Sequence, residues 1–209
     1  MKQWVVAGIC AAALAVGAYL AYQWRGRVAP AQLTTSARYA PVESCQGCHP
    51  AIWKTYRQTG MGRAFSAFAF DRTPADFGRR NKFYHKPSDS HFTMLRRGGE
   101  AFMRRHQIGP AGEEINVVEK RIDYIMGSGH TGQTLIHRNP RNELIELPVA
   151  WYIAKGGYWA MNPNYDQPNH EGFRRRIRYD CFFCHNGYPD MQGRPDDFLA
   201  DPIYPAKLP

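Results

Sequence analysis

Four of the five cysteines of this chain fall into two copies of one short pattern, Cys-x-x-Cys-His. Two thiols at this spacing can form thioether bonds to the two vinyl groups of a haem, and the histidine that follows can bind the iron from the same side. A chance origin for two complete copies is remote. The pattern predicts two covalent c-type haems, with His49 and His185 as proximal iron ligands. The six attachment residues are Cys45, Cys48, His49, Cys181, Cys184 and His185.

Other sites built from cysteine pairs explain the pattern less well. Common zinc modules place their two pairs about 15 to 20 residues apart, whereas 132 residues separate Cys48 from Cys181. A thioredoxin-like redox pair belongs to a βαβ pattern that the neighbouring sequence lacks. Disulfides are compatible with an exported domain. None of these alternatives accounts for a histidine after both pairs.

The N-terminus carries an apolar run, residues 4–22, that contains no charged side chain. The run is long enough for a membrane span and lacks a clean cleavage site, which favours an uncleaved signal anchor over residues 1–27. The alternative interpretation, a cleaved signal peptide, stays open. Both alternatives export the rest of the chain. Because haem is attached to such motifs on the outer side of an energy-transducing membrane, we expect a membrane-anchored protein with its haem domain on the periplasmic side.

The charge balance is basic, with 27 lysines and arginines against 18 acidic residues and a net charge of +9. Such a charge would suggest nucleic acid as a partner of an intracellular protein, but export argues against it. The basic residues also form separate clusters, for example at 79–80, 104–105 and 174–176. They are expected to be solvated, to pair with haem propionates, or to dock an acidic redox partner.

The elements around the motifs follow from local patterns. Residues 28–42 predict a tether, and 43–209 a single dihaem cytochrome c domain. A proline in a first-turn position and apolar residues at helical spacing predict a short helix over 50–56. Alternating runs between about 81 and 161 predict antiparallel strands, with hairpin connections at 98–99 and 139–142. The predicted fold is α+β and loop-rich: short helices surround two haem sites, an antiparallel β meander lies between them, and an N-terminal transmembrane helix precedes them.

Several stretches resemble the multihaem c-type cytochromes related to the tetrahaem electron acceptors of hydroxylamine oxidoreductase, some of which are fused to tetratricopeptide repeats. The stretches are Cys-Gln-Gly-Cys-His at 45–49 with Trp53, Thr-Gly-Met-Gly-Arg-Ala-Phe at 59–65, Phe-Tyr-His-Lys-Pro-Ser-Asp at 83–89, Arg-Arg-His-Gln-Ile-Gly at 104–109, Met-Gly-Ser-Gly at 126–129, Glu-Leu-Pro-Val-Ala-Trp-Tyr at 146–152 and Asp-Cys-Phe-Phe-Cys-His-Asn-Gly-Tyr at 180–188. The resemblance implies electron transfer, a β-rich segment between haems and further haem motifs downstream. The sequence ends about where such relatives approach a third motif, so a fragment of a larger multihaem protein stays open.

The sixth iron ligands depend on side chains outside the motifs. Met61, in a glycine-rich loop after the predicted helix, is the candidate for the first haem, and methionine there would raise the reduction potential relative to a histidine pair. His130, among glycines that let a backbone approach a macrocycle, is the candidate for the second haem. His106, His137 and His170 are alternatives, whereas His85 and His91 are expected to be structural.

Two functions compete on this basis. A carrier of single electrons needs both irons six-coordinate, whereas a reductase of a small nitrogen or sulfur oxyanion needs an open iron with nearby proton donors. The sequence contains no compact group of residues that would indicate such a reductase, and no catalytic residue is assigned. We therefore expect an electron-transfer cytochrome.

Overall fold

The computed structural model describes residues 42–178 and Cys181. The predicted anchor and nearly all of the predicted tether lie outside the described residues, as do Cys184 and His185 of the second motif. The described chain begins with a 3-10 helix at Val42–Cys45, followed by the α-helix α1 at Pro50–Tyr56. The predicted helix over 50–56 is thereby confirmed.

Within the described residues nine strands follow, all paired antiparallel. Their bounds are β1 Phe65–Ala67, β2 Lys82–His85, β3 Ser90–Arg97, β4 Glu100–Ile108, β5 Glu114–Ile122, β6 Tyr124–Met126, β7 Gly132–Arg138, β8 Leu144–Tyr152 and β9 Tyr158–Met161. Short 3-10 helices at Met61–Arg63, Phe70–Arg72, Lys86–Ser88 and Ala154–Gly156 lie between them.

The strands form two sheets, one with the order β1-β6-β7-β8-β9 and one with the order β2-β3-β4-β5. Asp123 alone separates β5 from β6, so the chain passes from the four-stranded sheet to the five-stranded sheet at this residue. The Asp123 N–H donates to Ile136 O at 2.8 Å, and its carbonyl accepts from Phe68 N–H at 2.9 Å. The crossing residue is thus hydrogen-bonded on both sides.

A large apolar core contains residues from both sheets. Met94 and Met103 come from the four-stranded sheet and Leu135, Leu147 and Val149 from the five-stranded one, and each of these side chains is fully buried. Alternate residues of a strand point to opposite faces, so one face of each sheet supplies this core. We call the two sheets and the core they share the sandwich.

A second, smaller cluster uses the other face of the five-stranded sheet. Ile136 belongs to it although Leu135, the preceding residue, belongs to the first core, as expected for neighbours in a strand. Its buried members are Phe65, Met126, Ile136, Leu144 and Ile177, and Tyr124 and Cys181 pack against them. The five-stranded sheet therefore buries apolar side chains on both faces, and the second face lies against the start of the second Cys-x-x-Cys-His motif.

The predicted fold class is wrong. The described residues are mainly antiparallel β, with α1 as their one complete α-helix, rather than a loop-rich α+β arrangement with helices around both motifs. The predicted hairpins are confirmed, since β3 pairs with β4 and β7 with β8. The strands do not form one meander, however, because the β5 to β6 connection changes sheet and β1 pairs with the distant β6. Among the described residues, no helix is long and apolar enough to cross a membrane.

Candidate functional site

The first Cys-x-x-Cys-His motif forms a compact turn that leads directly into α1. The 3-10 helix ends at Cys45, and the His49 N–H donates to Cys45 O at 2.9 Å. Pro50 occupies the first turn of α1, where its missing N–H costs no hydrogen bond. The next bond, from Trp53 N–H to His49 O, also measures 2.9 Å. The two cysteines and the histidine are therefore held on one turn by backbone bonds.

Both thiols of this motif are accessible. Cys45 and Cys48 are exposed, and neither forms a disulfide. His49 is also exposed. A haem-attachment site requires two free thiols and an imidazole at the surface of one short segment. The first motif meets this requirement.

The helix after the motif has no protein core of its own. None of its residues is buried, although it contains three large apolar side chains. Ile52 is 67% exposed and Tyr56 44% exposed, and Met61, five residues further on, is 78% exposed. The indole Nε1 of Trp53 is buried without a hydrogen-bond partner. Large apolar side chains are rarely left in water together, so this surface fits a flat, mostly apolar group such as haem.

A tight turn after α1 positions Met61. The Thr59 hydroxyl donates to Tyr56 O at 2.6 Å and accepts from Gly62 N–H at 3.1 Å. A Cβ atom on Gly62 would lie 2.2 Å from Tyr56 O, so only glycine fits this position. The loop that contains Met61 therefore folds back onto the C-terminal end of α1. We call residues 42–64, which include the motif, α1 and this loop, the attachment segment.

The attachment segment meets the sandwich at the β6–β7 loop, residues 127–131. The Gly127 N–H donates to Ala64 O at 2.6 Å. A Cβ atom on Gly60 would lie 3.7 Å from the Ser128 hydroxyl oxygen, an ordinary van der Waals contact. The glycine-rich run that contains His130 therefore lies beside the loop that follows α1.

The second motif reaches the same part of the five-stranded sheet. Cys181 is partly buried and packs against the second cluster, and its N–H donates to Arg178 O at 3.2 Å. Two members of that cluster are next to the residues that join the attachment segment to the β6–β7 loop: Phe65 follows Ala64, and Met126 precedes Gly127. The start of the second motif thus packs against a cluster whose member Phe65 directly follows the attachment segment, and the sequence alone could not predict this proximity.

His130 lies in the β6–β7 loop and is exposed, with its Nδ1 3.1 Å from the Ser128 hydroxyl oxygen. Gly127 and Gly129 adopt φ angles of +108° and +84°, which favour glycine. The buried Gln133 amide lies close to the Gly127 and Arg72 carbonyl oxygens, at 3.4 and 3.2 Å. The loop that carries His130 is therefore tied to the sheet.

The alternative histidine ligands lie elsewhere in the sandwich. His106 stacks on His91 across β3 and β4, with ring centroids 5.2 Å apart, and its Nδ1 is 3.2 Å from an Arg104 nitrogen. His137 Nδ1 faces Arg121 O at 2.9 Å and an Asp123 carboxylate oxygen at 3.0 Å. Neither histidine approaches the attachment segment through any of these contacts.

His170 and His85 form a separate pair, with ring centroids 5.5 Å apart. His85 is 3% exposed and bonds Ser88 Oγ at 2.7 Å and Asp166 Oδ1 at 3.0 Å, so both its ring nitrogens have protein partners. Burial, the neighbouring His85 and Arg105 lower the pKa of His170. The structural role expected for His85 fits these contacts.

Most of the basic clusters are paired with acidic side chains or rings. Examples are Arg97 with Glu119, Arg104 with Glu114, Arg121 with Glu100 and Asp123, Arg175 with Glu146 and Arg176 with Glu143. Within the attachment segment, the Arg57 guanidinium lies 4.6 Å from the Trp53 ring centroid. The docking of an acidic redox partner stays a prediction.

Three comparisons of the chain, with models of protein families, with characterised proteins and with solved structures, found no match. In the part of the chain that the structure describes, no three His, Cys, Asp or Glu side chains are grouped so as to hold a metal ion. The resemblance to multihaem cytochromes and the assignment of Met61 and His130 therefore stay predictions.

Proposed function

We propose that this chain is an exported c-type cytochrome that binds two covalent haems, at Cys45, Cys48 and His49 and at Cys181, Cys184 and His185, and transfers single electrons. The observation that carries the proposal is the attachment segment. It combines two exposed, unpaired thiols with a helix whose apolar side chains no other part of the described chain buries. A bound haem supplies one-electron redox chemistry at its iron.

The residues of the attachment segment have distinct roles in this proposal. Cys45 and Cys48 fix the haem covalently, and His49 binds its iron. Ile52, Tyr56 and Met61 cover apolar haem surface and exclude water, which tunes the reduction potential. The exposed position of this segment in turn leaves a haem edge accessible to a redox partner.

Export and membrane attachment belong to the same proposal. The apolar run at residues 4–22 supports them, because covalent haem attachment of this kind takes place outside the membrane. Attachment through this run would keep the haem domain at the periplasmic surface, near redox proteins of the same compartment. Acidic redox proteins are the expected partners of a chain with a net charge of +9.

The proposal is tested by expressing the full chain together with a haem-attachment system. Mass spectrometry and the pyridine-haemochrome spectrum should give two haems per chain. Replacing both Cys45 and Cys48 by Ala should remove one haem, and replacing both Cys181 and Cys184 should remove the other. A wild-type chain that carries no covalent haem would exclude the proposal.

The electron-carrier function is tested on the same preparation. Two low-spin irons that do not bind added cyanide or nitrite are expected of a carrier. A high-spin iron that binds nitrite would instead indicate a reductase.

A further inference from the structure

We propose that His130, rather than Met61, is the sixth ligand of the haem attached at Cys45 and Cys48. This inference rests on the proposed function and adds to it the identity of the distal residue. The sequence alone assigned Met61 to the first haem and His130 to the second. The contacts between the attachment segment and the β6–β7 loop change that assignment.

The two faces of a bound haem would be covered by different elements. If His49 bound the iron, α1 would lie on the same side as His49, and another element would supply the sixth ligand. The loop that carries Met61 is tied to the C-terminal end of α1 through Thr59 and Gly62, and the Met61 side chain is exposed. Met61 would therefore lie on the same side of a bound haem as α1, and a different element would face the iron from the opposite side.

The β6–β7 loop is that element, because it packs beside Gly60 through Ser128 and bonds Ala64 through Gly127. His130 follows two residues after Ser128 and is exposed. The loop thus brings an imidazole to the neighbourhood of the first motif from a strand connection that is separate from α1.

The imidazole ring of His130 also has a hydrogen-bond partner of the kind that a metal-binding histidine uses. A histidine that binds a metal through one nitrogen usually donates the N–H of the other nitrogen to a neighbouring acceptor. The Nδ1 of His130 lies 3.1 Å from the Ser128 hydroxyl oxygen. When Nδ1 donates to this oxygen, Nε2 keeps its lone pair and is available to iron. Ser128 is then a positioning residue that fixes the tautomer and orientation of His130.

The remaining described histidines are engaged elsewhere. His85 bonds Ser88 and Asp166, and His137 bonds the Arg121 carbonyl and Asp123. His91 and His106 stack on one another, and His170 Nδ1 accepts from Gly172 N–H. Among the described histidines other than His49, only His130 lies in a loop that contacts the attachment segment.

The experiment compares His130→Ala with Met61→Leu and with a control, His91→Ala, in the full haem-loaded chain. The readouts are the spin state of each iron by electron paramagnetic resonance and the methionine-to-iron charge-transfer band in the far red. In His130→Ala we expect one of the two haems to become high-spin, so that half of the low-spin signal is lost. Added imidazole should return this haem to low spin. Met61→Leu and His91→Ala should keep both haems low-spin.

Single-haem variants assign the effect to one haem. In a chain whose Cys181 and Cys184 are both replaced by Ala, His130→Ala should convert the remaining haem to high spin. In a chain whose Cys45 and Cys48 are both replaced, His130→Ala should leave the remaining haem unchanged. The reverse pattern, or a far-red band that Met61→Leu abolishes, would overturn the assignment of His130. The proposed function would still be supported in that case if the chain carries two haems.

Discussion

The sandwich and the attachment segment are stabilised in different ways. In the sandwich, large side chains from two sheets are fully buried against one another, as Met94, Met103 and Leu135 show. In the attachment segment no residue of α1 is buried, and Ile52 and Met61 are mostly in contact with solvent. Isolated helices of seven residues are unstable in water without tertiary packing.

This difference indicates where a cofactor would contribute to the fold. A segment with exposed apolar side chains and backbone-fixed thiols gains a core only when something covers it, whereas the sandwich supplies its own. We therefore expect mutations of the sandwich to change the stability of the chain with or without haem. Mutations of the attachment segment should act mainly on the haem-loaded chain.

The largest expected difference is between truncating a buried side chain of the sandwich and truncating an exposed apolar side chain of α1. Met103→Ala removes a fully buried side chain and should lower the free energy of unfolding by about 2–5 kcal/mol, with or without haem. Ile52→Ala, on the exposed face of α1, should change it by less than about 0.5 kcal/mol in haem-free protein. Urea denaturation measures both. A large loss from Ile52→Ala in haem-free protein would show that another part of the chain covers α1.

Two glycines, one in the sandwich and one in the attachment segment, allow a second comparison of the stability of these regions. Gly157 adopts φ +88°, and a Cβ there would lie 2.2 Å from Trp151 Cζ2 in the sandwich core. Gly157→Ala should cost about 1–3 kcal/mol through overpacking alone. A Cβ on Gly47, in the first motif, meets no atom within 4 Å. Gly47→Ala should therefore leave the melting temperature of haem-free protein unchanged, and equal losses in the two variants would contradict the contrast.

The strand crossing at Asp123 gives a pH-dependent test within the sandwich. Its side chain is 9% exposed and accepts from His137 Nδ1 at 3.0 Å and from Arg138 N–H at 2.7 Å. Burial opposes ionisation of Asp123, but these hydrogen bonds and the Arg121 charge outweigh it and lower the pKa below its ordinary 3.8. Asp123→Asn should therefore cost about 1.5–3 kcal/mol at neutral pH.

The sign of the pH dependence follows from the lowered pKa. The carboxylate contributes its full stability above pH 3.8 and loses it as the pH falls toward the folded-state pKa. The stability difference between wild type and Asp123→Asn should shrink over that range in chemical denaturation. Asp71→Asn, at an exposed aspartate, is the control and should change the stability at neutral pH by less than about 0.5 kcal/mol. A difference that is constant with pH would mean that the ionised form of Asp123 is not the stabilising one.

Local signals predicted much of the secondary structure. The helix at 50–56 and the two hairpins followed from a proline, from Gly98-Gly99 and from the turn at 139–142, because these features act within a few residues. The division into two sheets could not be predicted in this way. It depends on the pairing of Phe65 with Met126 and on a single connecting residue, Asp123, and neither leaves a pattern in the local sequence.

The candidate site shows the same limit. Residue spacing predicted Cys45, Cys48 and His49 as one attachment unit, and their accessible turn fits that prediction. The neighbourhood of His130 could not be predicted, since its loop meets the attachment segment only after β1 has paired with β6. The glycines around His130 indicated that the backbone approaches another group closely, but they did not indicate which group.

In the proposed function a covalent haem completes the attachment segment. This is tested by the intact mass of the full chain produced with a haem-attachment system, compared with the mass of the variant in which Cys45 and Cys48 are both Ala. We expect a wild-type mass greater than that of the polypeptide by two haems and a variant mass greater by one. A wild-type mass equal to that of the polypeptide alone, or the same number of haems in both proteins, would contradict it.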